Sequence, residues 1–217
     1  MKKYLFIAIL LVVFTSCKKE RITGDGTITT EQRNVSDFSN VYVSGSSNVY
    51  ITQGNNFDVK VKAYSNLLPY LETKTQNGIL TVAYRSNSNV QNDNSEVYIT
   101  MPSVTGLSTS GSGNINSTGN FVAVDHFNAS VSGSGNIFME GGLANNFKVQ
   151  ISGSGDVKSF GFSVLQADVS IDGSGNAEVR VSQNLKATIH GSGNIYYKGN
   201  PPIVNSQVSG SGKLMKQ

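Results

Sequence analysis

Tryptophan is absent, cysteine occurs once, histidine twice and proline four times in 217 residues. One cysteine excludes an intrachain disulfide framework and a cysteine-based zinc cluster. The two histidines, His126 and His190, fall at different phases of the repeat described below, so they assemble no catalytic or metal-binding pair. Charged residues make up only 14%, and Lys plus Arg exceed Asp plus Glu by three. No basic stretch is present to neutralise a run of phosphates, which excludes nucleic acid as a partner. Leucine and alanine are sparse, and no long stretch shows helical periodicity. The apolar run Tyr4–Phe14 is too short to span a bilayer, which takes about 20 residues.

That run follows Lys2 and Lys3 and ends in small residues, the pattern of a secretory signal peptide. Phe14-Thr15-Ser16-Cys17 resembles a lipobox, with the only cysteine at the position that is lipidated. The expectation is a lipoprotein signal over residues 1–16, a lipidated Cys17 that anchors the chain to a membrane, and a charged tether over 17–25. Several acyl chains on one cysteine give stable anchoring. Loss of Lys2 and Lys3 leaves the processed chain close to charge balance.

What is abundant is glycine, serine, asparagine, valine and threonine. GSGN recurs at 111–114, 133–136, 173–176 and 191–194, with GSGD at 153–156, GSGK at 210–213 and a looser GSSN at 45–48. From Gly111 on, the spacings are 22, 20, 20, 18 and 19 residues. Apolar residues alternate before each unit (Phe127, Ala129, Val131) and after it (Ile137, Met139). Period two means strands with one buried face, and a period near 20 means one solenoid coil per repeat. The fold expected is all-β: a right-handed parallel β-helix with coils of about 20 residues.

The glycine units then form the coil corners. If the backbone stays extended, Gly133 and Gly135 point inward and Ser134 and Asn136 outward. If the corner instead uses left-handed glycine conformations, parity breaks and the asparagines turn in as a hydrogen-bonded ladder. In both cases Ser112, Ser134, Ser154, Ser174, Ser192 and Ser211 form one row. Asn114, Asn136, Asp156, Asn176, Asn194 and Lys213 form another, at about 4.8 Å per step.

The N-terminal third is less regular. Val41–Ile51 reads as one further coil, and residues 57–63 as a strand. Ser65 caps a short helical turn at 66–71. Asn77-Gly78 between two strands is a type I′ hairpin signal. Residues 86–95 read as a polar loop. The organisation expected is one β-helical domain over 26–217, irregular over 26–105 and regular over 106–217, with the irregular part shielding the first coil.

Chemistry was sought at each motif. A phosphate cradle needs a glycine loop opening a helix, and these units lead into strands. A calcium roll needs carboxylates at the turn, and only Asp156 supplies one. Asp156, Asp168 and Asp172 are the densest acidic group, and a solvated outer face accounts for them. Tyr42, Tyr50, Tyr196 and Tyr197 either line a sugar platform or simply pack. No cofactor or metal site is indicated.

The serial Gly-Ser-Gly-Asn units, together with Phe38–Gly45, Asn48–Gly54 and Asn77–Val82, resemble the auto-transporter adhesin, head GIN domain family. The charged stretch behind Cys17 resembles a surface-export signal of Bacteroides-type bacteria. The resemblance implies a β-helical fold and an adhesive role, with no catalytic residues to transfer. The expected protein is a non-catalytic outer-membrane lipoprotein, exposed at the cell surface, that binds a glycan or an envelope protein. The contact residues expected are Asn114, Asn136, Asp156, Asn176, Asn194, Ser134, Ser154 and Ser174. The alternatives are a structural envelope component with a protein partner and, last, a carbohydrate-active enzyme.

Overall fold

The computed structural model describes residues 20–217; the expected signal peptide and Cys17 lie outside them. The N-terminal strands are β1 (Glu20–Thr23), β2 (Ile28–Arg33), β3 (Asn40–Gly45), β4 (Asn48–Gln53), β5 (Asp58–Tyr64), β6 (Leu71–Gln76), β7 (Ile79–Tyr84), β8 (Ser88–Gln91) and β9 (Glu96–Met101). The repeats supply β10 (Gly106–Gly111), β11 (Ile115–Gly133), β12 (Ile137–Gly153), β13 (Val157–Gly173), β14 (Ala177–Gly191), β15 (Ile195–Lys198), β16 (Ile203–Gly210) and β17 (Leu214–Lys216). The architecture is a parallel β-solenoid of about six turns with coils near 20 residues, as the periodicity requires.

The coils built by β11 to β14 run as nearly continuous strand and break only at their glycine units, while the last coil also breaks at 199–202, between β15 and β16; every unit has a strand on either side. The strands before the corners form one sheet face: β7, β3, β10, then the second halves of β11, β12, β13 and β14, then β16. The strands after the corners form a second face: β9, β4, the first halves of β11 to β14, then β15 and β17. Gly45 stacks on Gly111 although 65 residues separate them in the chain. The looser GSSN is therefore the first corner, and the intervening chain is an excursion that builds the cap.

Between the faces the inward positions are almost fully buried. Val131, Ile151, Ile171 and Ile189 form one column, and Phe127, Phe147 and Phe162 make a mutually packed aromatic cluster with ring centroids 4.9–5.8 Å apart. Each such side chain contributes about 1.5–3 kcal/mol by leaving water.

The cap is antiparallel. Asn77 and Gly78 both have positive φ, at 51° and 74°, as a type I′ turn demands, and close the β6–β7 hairpin on the free edge of β3. β5 pairs antiparallel with β9 and with β2, extending the second face. Three local expectations are corrected. Residues 65–70 form hydrogen-bonded turns that lead directly into β6, with a single helical turn closed by Leu71 N on Leu67 O and no longer helix. Pro69 lacks the N–H a helix would need there, and it is the Asn66 side chain, not Ser65, that ties the segment down, bonding Asp25 N and Thr23 O. The loop at 86–95 contains β8, and β8 pairs in parallel with β1, which lies in the stretch read as tether. Ile22 is buried there, so the folded region includes residues from Glu20 on.

Candidate functional site

The corners were the first candidate. At each of them the leading glycine has positive φ, 118° at Gly133 and 127° at Gly153, the conformation that breaks strand parity. Its carbonyl accepts two N–H groups from the next coil: Gly133 O takes Ser154 N at 2.9 Å and Gly155 N at 3.1 Å. The inward-pointing picture is corrected for the first glycine of each unit; the second, Gly135, has no positive φ and is buried. A Cβ on Gly135 would run into the carbonyl oxygen of Gly113, the equivalent residue one coil earlier, and one on Gly133 would lie 2.6 Å from Gly111 O. Close approach between stacked backbones excludes side chains here, and at the second glycine the core adds to it: a Cβ on Gly155 would lie 2.8 Å from Val131 Cγ1.

The asparagines form the ladder. Asn114 Nδ2 donates to Asn48 Oδ1 at 3.0 Å, and Asn136 Nδ2 to Asn114 Oδ1 at 2.8 Å. Asp156 donates its backbone N–H to Asn136 Oδ1 at 2.9 Å and accepts both N–H groups of Asn176. Asn194 continues onto Asn176, and Lys213 N closes the series. These side chains are half-buried and bonded along the stack, which makes them part of the frame. Ser134, Ser154 and Ser174 stand exposed on the corner ridge beside them.

Asp168 pairs with Lys186 at 3.0 Å and Asp125 with His126 at 2.9 Å, both exposed. Asp156 lies 3.8 Å from Lys158. The acidic residues singled out in the sequence are thus not gathered in one cleft.

The second face carries what the corner-centred reading missed. One outward row runs, in register, through Tyr98, Tyr50, Asn116, Phe138, Lys158, Glu178 and Tyr196. Tyr50 and Tyr98 stack with ring centroids 5.2 Å apart. Lys158 Nζ sits 5.3 Å from the Phe138 ring, and Lys198 Nζ 4.3 Å from the Phe160 ring. Asn116, Phe138, Glu140, Lys158, Phe160 and Glu178 border a shallow groove of about 380 Å³. Of the tyrosines named from sequence, Tyr50 and Tyr196 are on this row, while Tyr42 lies on the other face and Tyr197 faces inward. Outward parity between buried neighbours was the available signal.

Where the coils turn between their second and first faces, the stack is irregular. Register slips between Ser117 and Asn120, Phe121 and Val124, Ser159 and Ser163, and Val164 and Gln166 absorb the unequal coil lengths. The bulged backbone leaves Val122, Leu143 and Leu165 exposed, and Leu143 and Leu165 line an apolar groove of about 450 Å³ that Arg180 and Gly199 also border.

The fold defines the class: a parallel β-solenoid capped by antiparallel strands. The chain belongs to the family described as "Putative auto-transporter adhesin, head GIN domain", whose model matches residues 37–201. It is similar in structure to a putative adhesin from Bacteroides fragilis (19% identity, TM-score 0.72, covering 90% of this chain and 100% of that one). It is also similar to a putative lipid binding protein from Parabacteroides distasonis (24%, 0.64, 91% and 100%) and a putative adhesin from Parabacteroides merdae (22%, 0.55, 91% and 99%). At these identities the likeness shows the fold. No curated protein matches the chain.

Proposed function

We propose that this protein is a non-catalytic adhesion module of the cell envelope, held to the outer membrane through Cys17, and that its second face binds glycan. The observation that carries the reading is the outward row from Tyr98 to Tyr196. An aromatic ring takes the C–H face of a sugar, while Asn116, Lys158 and Glu178 between the rings offer donors and acceptors to its hydroxyls. Each contact is weak, and repetition along the coils supplies avidity. The corner serines flank the face, and the asparagine ladder keeps it flat.

The test is glycan-array and whole-cell adhesion by Phe138→Ala/Phe160→Ala. Adhesion is lost with the melting temperature little changed if the face is the contact. Retained adhesion removes the reading. A second reading, a protein partner in the envelope, is favoured by the exposed Val122, Leu143 and Leu165. There, Leu143→Ser/Leu165→Ser abolishes capture by the partner and leaves glycan binding intact.

A further inference from the structure

Four outward residues share one register line where the coils turn between their second and first faces: Leu143 pairs with Ser163, Ser163 with Arg180, and Arg180 with Lys198. The line is apolar at one end and doubly cationic at the other. Beside it runs the groove of about 450 Å³, whose lining includes the exposed Leu165 and the buried Ala144, Val164 and Val181. Arg180 is the only charged residue that borders this groove. From Arg180 back to Ala123, on the first coil that lines it, is three coil steps, about 14 Å. The volume suits a small ligand, for which about 300–1,000 Å³ is usual.

The two cations lack anionic partners. Arg180 Nε donates to the Phe160 carbonyl at 2.8 Å, which holds the guanidinium in place, while its two terminal nitrogens make no hydrogen bond or ion pair among the described residues. Lys198 Nζ lies 4.3 Å from the centroid of the Phe160 ring and likewise forms no ion pair among the described residues. Glu178, two positions before Arg180 on the same strand, pairs with neither. Like charges directly opposite one another destabilise a strand pair, and Arg180 and Lys198 stand in that relation. An anion between them removes the repulsion. A carboxylate matches the planar fork that a guanidinium presents.

We propose that the groove binds a fatty acid, its carboxylate on Arg180 and Lys198 and its alkyl chain laid over Leu165 and Leu143 toward Ala123. Removing the chain and the leucines from water together supplies the affinity, and the cations set the direction in which the chain lies. The inference goes beyond the glycan reading and stands without it. An apolar segment of a partner protein needs the leucines but neither cation, which separates the second reading from this one.

The experiment is isothermal titration of the chain from residue 17 on, with Cys17→Ser so that it carries no acyl chain of its own. The probes are dodecanoate, dodecyltrimethylammonium and acetate, both surfactants below their micelle concentrations. Dodecanoate saturates a single site. The cationic surfactant, with the same tail, and acetate, with the same head, bind at least about tenfold more weakly. Arg180→Gln, Lys198→Gln and Leu143→Ser/Leu165→Ser each weaken dodecanoate binding by more than about tenfold, with melting temperatures close to the parent's. Lys148→Gln, which removes an exposed cation from the first face, changes nothing. The absence of saturable dodecanoate binding overturns the proposal. Equal binding of the two surfactants overturns it too, since that leaves only an apolar patch. An equal loss in Lys148→Gln overturns it by showing attraction to net charge alone. Affinity indifferent to both cation variants overturns it whatever the leucine variant does.

Discussion

Asn114 Oδ1 accepts two hydrogen bonds from one residue of the next coil: the backbone N–H of Asn136 at 3.1 Å and its side-chain amide at 2.8 Å. One side chain thus satisfies the corner backbone of the following coil and aligns the next rung. Asn136 repeats the backbone half of the arrangement for Asp156. Asn136→Ala removes an acceptor from a half-buried N–H and a donor from Asn114. An unsatisfied group of this kind costs about 1–3 kcal/mol. The expected result in urea unfolding is a loss of that size for Asn136→Ala and almost none for the exposed Ser134→Ala.

The corner glycines tolerate even less. Gly135→Ala places a methyl group against the Gly113 carbonyl, and that carbonyl belongs to a stacked backbone with no freedom to withdraw. Overpacking costs about 1–3 kcal/mol. Gly135→Ala therefore lowers the unfolding midpoint well beyond Ser134→Ala, although both changes involve one small side chain. Equal midpoints for the two would refute close approach as the reason for the second glycine.

The regular coils were legible because each carries its own period: alternation fixes the buried face, and the recurring unit fixes the corner. The hairpin was legible because Asn77-Gly78 admits few other turns. The site was less so. The asparagines are the most repetitive polar residues and drew attention as ligand contacts, but repetition here serves the ladder. Tyr98 and Tyr50 are neighbours only because the excursion from 58 to 101 returns β9 beside β4, a long-range event that local pattern does not encode. The β1–β8 pairing was hidden for the same reason, with Ile22 and its partner Val90 as its only apolar signals. The bulges at 118–124 and 159–166 follow from the 22- and 18-residue spacings, but the spacing does not say which side of the coil takes up the difference.

The cap carries an acid-sensitive pair. Lys62 and Glu96 face each other on β5 and β9, 2.8 Å apart, and Tyr98 also donates to Glu96. Lys62 first, then Tyr98, holds the Glu96 carboxyl below its ordinary value. A lowered folded-state value contributes stability above the ordinary carboxylate value, about 4.3, that is lost as pH falls through the folded one. Glu96→Gln flattens this part of the acid limb in thermal melts taken between neutral and acid pH. An unchanged limb would show that the pair does not contribute.

Tyr84 contributes to the alkaline limb. Its hydroxyl donates to Asp93 Oδ1 at 2.7 Å, and Asp93 also accepts from Ser46 Oγ and Ser95 N, so the tyrosine helps fasten the first corner to the cap. Burial, with the neighbouring Asp93 carboxylate, pushes the phenol well above its ordinary value. The protonated phenol is therefore the form the fold prefers. Its contribution is complete below about pH 10, the ordinary phenol value, and declines as pH rises toward the folded one. Tyr84→Phe keeps the ring and removes both the hydrogen bond and the titration. At neutral pH the variant loses about 1.5 kcal/mol, the lower end for a hydrogen bond to a charged group. Above pH 10 its melting temperature falls less steeply than that of the parent, and the two curves converge. Parallel curves through that range would mean that Tyr84 ionises in the folded protein as freely as in water, and that the first corner is fastened without it.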